Sequence, residues 1–168
     1  LGEQDQRLAA MVRDAGCGVV LLVNKWDLVD DQRRDELERE LDRLLGFTDW
    51  APRVNVSAHT GRGLERLIPW LTRVLEAHRT RIPTGELNTW LQQAVDRTPP
   101  PPGRGGSARR PKYVTQVAVG PPTFVAFGAS LEASYRRYLE RSLRERFGFV
   151  GTPLRIEDRP SRRRGRRA

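Results

Sequence analysis

Lysine is nearly missing from this chain of 168 residues: it occurs at Lys25 and Lys112 alone, so 28 of the 30 basic residues are arginine. Against 21 acidic residues that gives a formal net charge of +9. Such a surplus, carried by guanidinium groups that fit phosphate, points to a polyanionic partner, nucleic acid before membrane. Cysteine is scarcer still. Cys17 alone excludes a disulfide framework, and with only His59 and His78 beside it no metal-ligand spacing exists. No run of 18 apolar residues and no signal-peptide pattern occurs, so the expectation is a soluble, cytoplasmic chain with no membrane contact. What remains is ordinary for a globular protein, with 38% hydrophobic and 7% aromatic residues, enough for one large domain or two small ones.

The most informative stretch is Val19-Val20-Leu21-Leu22-Val23-Asn24-Lys25-Trp26-Asp27, an apolar run that stops abruptly on polar side chains. A continuous Val/Leu run suits a strand covered on both faces in a parallel α/β sheet. Ligands of such sheets sit beyond the carboxyl ends of the strands, where Asn24, Lys25 and Asp27 fall. Guanine presents two adjacent donors, the ring N1–H and the exocyclic amino group, which a single carboxylate accepts together. Asp27 is the residue for that role. The Asn24 amide can reach the base from the other edge and tie the loop to its neighbours, and the methylene stem of Lys25 can lie flat over the ring. About thirty residues on, Val54-Asn55-Val56 is a second short apolar run, ending in Ser57-Ala58-His59-Thr60-Gly61. A residue as small as Ala58 lets a backbone N–H approach the base carbonyl. Asn24, Lys25, Asp27, Ser57 and Ala58 therefore form the candidate guanine-binding set, as two halves of one pocket.

Around these runs the periodicity predicts a short helix over 3–15 with Leu8, Met11 and Val12 inward, and an amphipathic helix over 31–45 with Leu37, Leu41, Leu44 and Leu45 on one stripe. A third helix follows Gly63 with Leu64, Leu67, Ile68, Leu71, Val74 and Leu75 inward, either kinked at Pro69 or beginning near it. Residues 1–80 thus read helix, strand, helix, strand, helix, the second half of a P-loop-type nucleotide-binding α/β domain. From Pro83 a new unit begins. It is a helix with Leu87, Trp90, Leu91, Ala94 and Val95 on one face, a hairpin over 113–119 and 123–127, a helix over 131–147, and a last strand over 149–156. This is an α+β unit of order α-β-β-α-β spanning 81–160. Residues 97–112, with four consecutive prolines and no acids, are expected to be a mobile loop, and 161–168 a disordered basic tail. Arg109, Arg110, Lys112, Arg162, Arg163 and Arg164 are the candidate RNA-binding residues, and no residue is assigned to catalysis or to a metal.

Asn24-Lys25-Trp26-Asp27 and Ser57-Ala58-x-Thr60-Gly61 resemble the fourth and fifth motifs of the translation-factor-like GTPases. Thr84-Gly85-Glu86-Leu87-Asn88-x-Trp90-Leu91, Pro121-Pro122-Thr123-Phe124-Val125, Ser134-Tyr135-Arg136-Arg137-Tyr138-Leu139-Glu140 and Phe147-Gly148-Phe149-x-Gly151-Thr152-Pro153 extend the likeness. Nearly the whole chain then resembles the carboxyl-terminal portion of the Der (EngA) family, bacterial GTPases with two tandem G domains and a KH-like domain. The resemblance implies the latter half of the second G domain plus the KH-like domain. It also implies GTP or GDP as ligand, Mg2+ in the intact parent, docking against upstream G domains, and a role with ribosomal RNA in maturing the large ribosomal subunit.

The chain departs from that family pattern in two places. It has no Gly-x-x-x-x-Gly-Lys-Ser/Thr loop and no Asp-x-x-Gly, so hydrolysis falls on no residue present and the chain alone is expected neither to hydrolyse GTP nor to hold it tightly. The second unit also lacks the Gly-x-x-Gly loop by which ordinary KH domains clamp single strands. Three readings stand: a GTPase fragment in ribosome assembly, an RNA-binding or ribosome-docking module without nucleotide chemistry, and a structural adaptor between domains.

Overall fold

The apolar run that begins at Val19 becomes strand only over its last three residues, Leu21–Val23 (β1). In the computed structural model, which describes residues 2–102 and 110–159, β1 pairs in parallel with Arg53–Asn55 (β2), Leu22 opposite Val54. A parallel pair needs a crossover, and Asp31–Leu45 (α2) supplies it. Asp30 caps α2 by accepting from the Arg33 N–H at 2.8 Å, and Leu41 and Leu45 turn inward from the expected stripe. Glu3–Asp14 (α1) precedes β1, and Leu67–Arg79 (α3) follows β2 through a 3₁₀ turn at Leu64–Arg66. Pro69 leaves α3 unkinked because it is the third residue, where the backbone amide has no intrahelical acceptor anyway.

Chain contacts divide the molecule into two units, the first holding residues up to Arg79 together with Phe149–Pro153. Within this first unit three expectations fail for one reason. Leu22 is 44% exposed, so β1 is not covered on both faces; Leu8 and Met11 on α1 face outward; and on α3 Ile68, Leu71 and Leu75 stay exposed while Val74 and Ala77 alone are buried. A two-stranded sheet has room to cover only part of three amphipathic helices. The remaining apolar side chains stay partly open, and Leu8, Val12, Leu22 and Leu37 line one cleft.

Phe149–Pro153 is not the strand anticipated there. It is a buried loop of the first unit, with Phe149 and Thr152 fully enclosed. The Val19 N–H donates to the Gly151 carbonyl at 2.7 Å, and the Gly151 N–H donates to the Trp50 carbonyl at 2.9 Å. Gly151 sits at φ +64°, and a Cβ there would lie 2.2 Å from Val74 Cγ2 and 2.9 Å from the Val19 carbonyl oxygen. Only glycine meets both demands. Beside it the Thr152 hydroxyl lies 2.8 Å from His78 Nδ1.

The second unit runs Thr84–Arg97 (α4), Tyr113–Ala118 (β3), Thr123–Phe127 (β4), Ala133–Phe147 (α5), Arg155–Arg159 (β5), the α-β-β-α-β order read from the sequence. β4 is central, antiparallel to β3 and parallel to β5. Register places Val114 beside Ala126, and Gln116, Phe124 and Ile156 in one row. All five are buried, closing a core with Leu87, Trp90, Leu91, Ala94 and Val95 of α4 and Leu139 and Leu143 of α5. Polar groups within this core find partners. The Trp90 indole N–H donates to Ser142 Oγ, and Tyr138 and Tyr135 donate to the Ala94 and Thr98 carbonyls at 2.8 Å, satisfying acceptors at the end of α4. Burial pushes the Tyr135 phenol up to about 12. The outer edge of β3 is closed by Asn88, whose amide donates to the Val114 carbonyl and accepts its N–H, both at 3.0 Å. Gly148 ends α5 at φ +70°. β5 ends at Arg159, opposite Phe127 and beyond the strand over 149–156 expected from the sequence.

Candidate functional site

β1 and β2 run in parallel, so their carboxyl ends deliver two loops to the same edge of the first unit. The Val56 N–H donates to the Val23 carbonyl and the Trp26 N–H donates to the Val56 carbonyl, carrying the strand ladder one step past β1. The chain then turns sharply. Lys25 adopts φ 62°, ψ 31°, and among the described residues it alone holds a positive φ without being glycine. A left-handed conformation costs an L-residue about 1–2 kcal/mol, so this turn is held by its surroundings. Asn24 holds it: its Oδ1 accepts from the Lys25 N–H at 2.8 Å and from the Ala58 N–H at 3.0 Å. One side-chain oxygen thereby fixes the turn of the first loop and ties it to the second. The Ala58 amide, expected to meet a base carbonyl, donates here to Asn24.

The second cross-link runs the other way. Side-chain hydrogen bonding from Ser57, a residue only 1% exposed, is the main cause that lowers the Asp27 carboxyl below its ordinary range. Partial desolvation opposes the shift, while Asp27's own backbone amide and the charge of His59 reinforce it. Ser57 is itself held from behind. Its Oγ accepts from the Thr60 N–H at 3.1 Å, its N–H donates to the Arg62 carbonyl and its carbonyl accepts from the Gly61 N–H, both at 2.9 Å. Gly61 and Gly63 at φ +77° and +83° allow so tight a loop. The product is an exposed carboxylate on a 3₁₀ turn, Trp26–Leu28, open to two adjacent donors. Trp26 turns away from it, under the Arg34 guanidinium at 5.9 Å.

Asn24, Lys25, Asp27, Ser57 and Ala58 are therefore neighbours in space. His59 and Thr60 lie with them, although the candidate set drawn from the sequence did not include either. Thr60 had a readable signal, since a Ser with an amide three residues on forms a local side-chain turn. His59 had none, because its charge matters only through Asp27 on the other loop. The candidate RNA residues are not gathered in the same way. Arg110 lies 3.6 Å from Asp96, Lys112 extends along Gly128 with its own N–H donated to the Phe127 carbonyl, and Arg109, Arg162, Arg163 and Arg164 lie outside the described residues. Among the described residues no group of His, Cys, Asp and Glu is placed to hold a metal, and no helix is long and apolar enough to cross a membrane.

Residues 81–159 match the family described as KH-domain-like of EngA bacterial GTPase enzymes, C-terminal. The chain is 55% identical over 168 residues to a protein named GTPase Der from Mycobacterium avium (strain 104), which covers 99% of this chain and 36% of the relative. Proteins of the same name from Mycobacterium leprae (strain TN) and Corynebacterium glutamicum are each 53% identical, covering 96% and 98% of this chain and 35% and 32% of the relative. The chain spans about a third of the length of these curated relatives. The matches run through both units: residues 81–159 belong to the KH-domain-like family of EngA, and the whole chain is similar to about a third of the proteins named GTPase Der.

Proposed function

We propose that residues 2–79 are the guanine-recognition half of a GTPase domain in a protein of the relatives' length. In this reading the α-β-β-α-β unit is its KH-like partner, and the whole acts in large ribosomal subunit biogenesis. One observation carries the reading: the exposed Asp27 carboxylate stands on a loop whose turn Asn24 fixes and locks to Ala58. Such an acceptor pays little reorganisation when it receives the N1–H and amino donors of guanine, and it repels adenine, which offers no such pair. GTP and GDP are the ligands. The phosphates and Mg2+ fall to residues outside this chain, because no phosphate loop occurs in its sequence and no metal cluster among its described residues. The intact protein hydrolyses GTP in the cytoplasm, its partners being upstream G domains and the large subunit with its ribosomal RNA.

The exposed arginines of α5 favour a second contribution from the same chain, an RNA-docking surface that needs no nucleotide chemistry. The two roles are separable by experiment. In the full-length protein, Asp27→Asn replaces a carboxylate acceptor with an amide that suits xanthine, whose carbonyl stands where guanine has its amino group. GDP affinity should fall by about 10- to 100-fold and xanthosine diphosphate affinity should rise. A variant that binds GDP as tightly as the parent would remove Asp27 from base recognition.

A further inference from the structure

The two arginine-rich helices of the chain treat their cations differently. On α2, Arg33 pairs with Glu36 at 2.7 Å and Glu40 at 3.7 Å, Arg34 pairs with Asp31, and Asp42 takes Arg53 from β2 at 2.7 Å. On α5, Arg136 is taken by Asp158, but Arg137 and Arg141 form no ion pair among the described residues. Arg137, Arg141 and Arg144 follow at i, i+4 and i+7, which places three guanidinium groups along one stripe about 10 Å long. Arg137 and Arg141 are exposed and Arg144 half-exposed, and the core residues Tyr135, Leu139 and Leu143 lie on the opposite side of the helix. Arg137 and Arg141, like charges one turn apart, repel each other along the helix. Two acids flank the stripe within one turn, half-buried Glu140 and exposed Glu145; burial raises the Glu140 carboxyl against the pull of Arg144, Arg136 and Arg137.

We propose that this stripe binds the phosphate backbone of double-stranded RNA. The inference rests on the RNA partner assigned above and gives it a location. A row of cations suits a polyanion with regularly spaced charges, and arginine forks fit phosphate oxygens. The stripe carries no aromatic residue, whereas single strands are held chiefly by stacking, so the duplex backbone is the occupant it fits. Contacts of this kind are sequence-tolerant, in keeping with the missing Gly-x-x-Gly loop.

The test uses the 168-residue chain and a labelled 20-base-pair RNA duplex, titrated across salt. R137Q/R141Q/R144Q should bind at least about tenfold more weakly at low salt and lower the slope of log affinity against log salt by roughly 2–3, near 0.9 per phosphate lost. R137K/R141K/R144K keeps the charge and should retain most of that slope. R7Q/R39Q/R43Q removes the same charge from the first unit and should move it by less than about one. Equal losses in both glutamine variants, an unchanged slope in the α5 variant, or tighter binding to a 20-nucleotide oligouridine than to the duplex would overturn the proposal while leaving an RNA partner in place. No duplex binding by the unsubstituted chain at any salt would remove the RNA reading itself.

Discussion

The two units differ in how they close. In the second, two helices and three strands enclose Leu87, Leu91, Phe124, Leu139 and Leu143, each 1% exposed or less, and even the β3 edge is finished by Asn88. In the first, two short strands serve three helices. Leu22, Ile68, Leu71 and Leu75 remain open, and an apolar cleft of about 540 Å3 is lined by Leu8, Val12, Leu22, Leu37 and Leu41. Yet the better-organised functional loops belong to the open unit. Their order comes from a few polar links, Asn24 to Ala58 and Ser57 to Thr60, rather than from a deep core. The candidate site is ordered locally although the unit that carries it leaves much of its apolar surface open.

The contrast should break most visibly in the cores. Leu143→Ala removes a side chain with no exposed surface and should cost about 2–5 kcal/mol in urea unfolding, whereas Ile68→Ala on α3 should cost under about 1 kcal/mol. Comparable losses would mean that α3 is as well covered as α5. Two left-handed glycines sharpen the comparison. Gly151→Ala drives a methyl group into Val74 and should destabilise the first unit by roughly 2–4 kcal/mol, while at Gly148, where a Cβ meets nothing within 4 Å, only the backbone cost of about 1 kcal/mol remains. The smallest effect concerns His78. Burial, aided by Arg79, lowers its pKa below the ordinary 6.5, so the folded chain favours the neutral ring. Its contribution is complete above pH 6.5 and fades as pH falls toward the folded value, because the unfolded chain takes the proton first. First-unit stability should therefore decline between pH 7 and 5.5, and His78→Asn should flatten that decline.

Much of this was legible in the sequence for physical reasons. A buried stripe such as Leu87, Trp90, Leu91, Ala94 and Val95 has one explanation, and the structure buries all five. The helix expected over 131–147 also stands, with Gly148 stopping α5. The α1 and α3 stripes read the same way but are largely exposed, because periodicity shows that a face is apolar and not that anything opposes it. The loop at Phe149–Pro153 was missed for a related reason. Its residues are apolar and bounded like a strand, and only the close approach of Gly151 to Val19 and Val74 shows its part in the first unit. At the candidate site the residue types were readable, whereas the bonds between loops 30 residues apart were not.

Native-state hydrogen exchange on the 168-residue chain tests the contrast most directly. Amides of α4, β3, β4 and α5 should share one slow, cooperative opening. Those of β1, β2 and α3 should exchange at least about 100-fold faster, which at 1.4 kcal/mol per factor of ten is roughly 3 kcal/mol less protection. Equal protection across Val23, Val54, Leu91 and Leu143, lost together at one denaturant concentration, would contradict the account and make the two units a single closed structure.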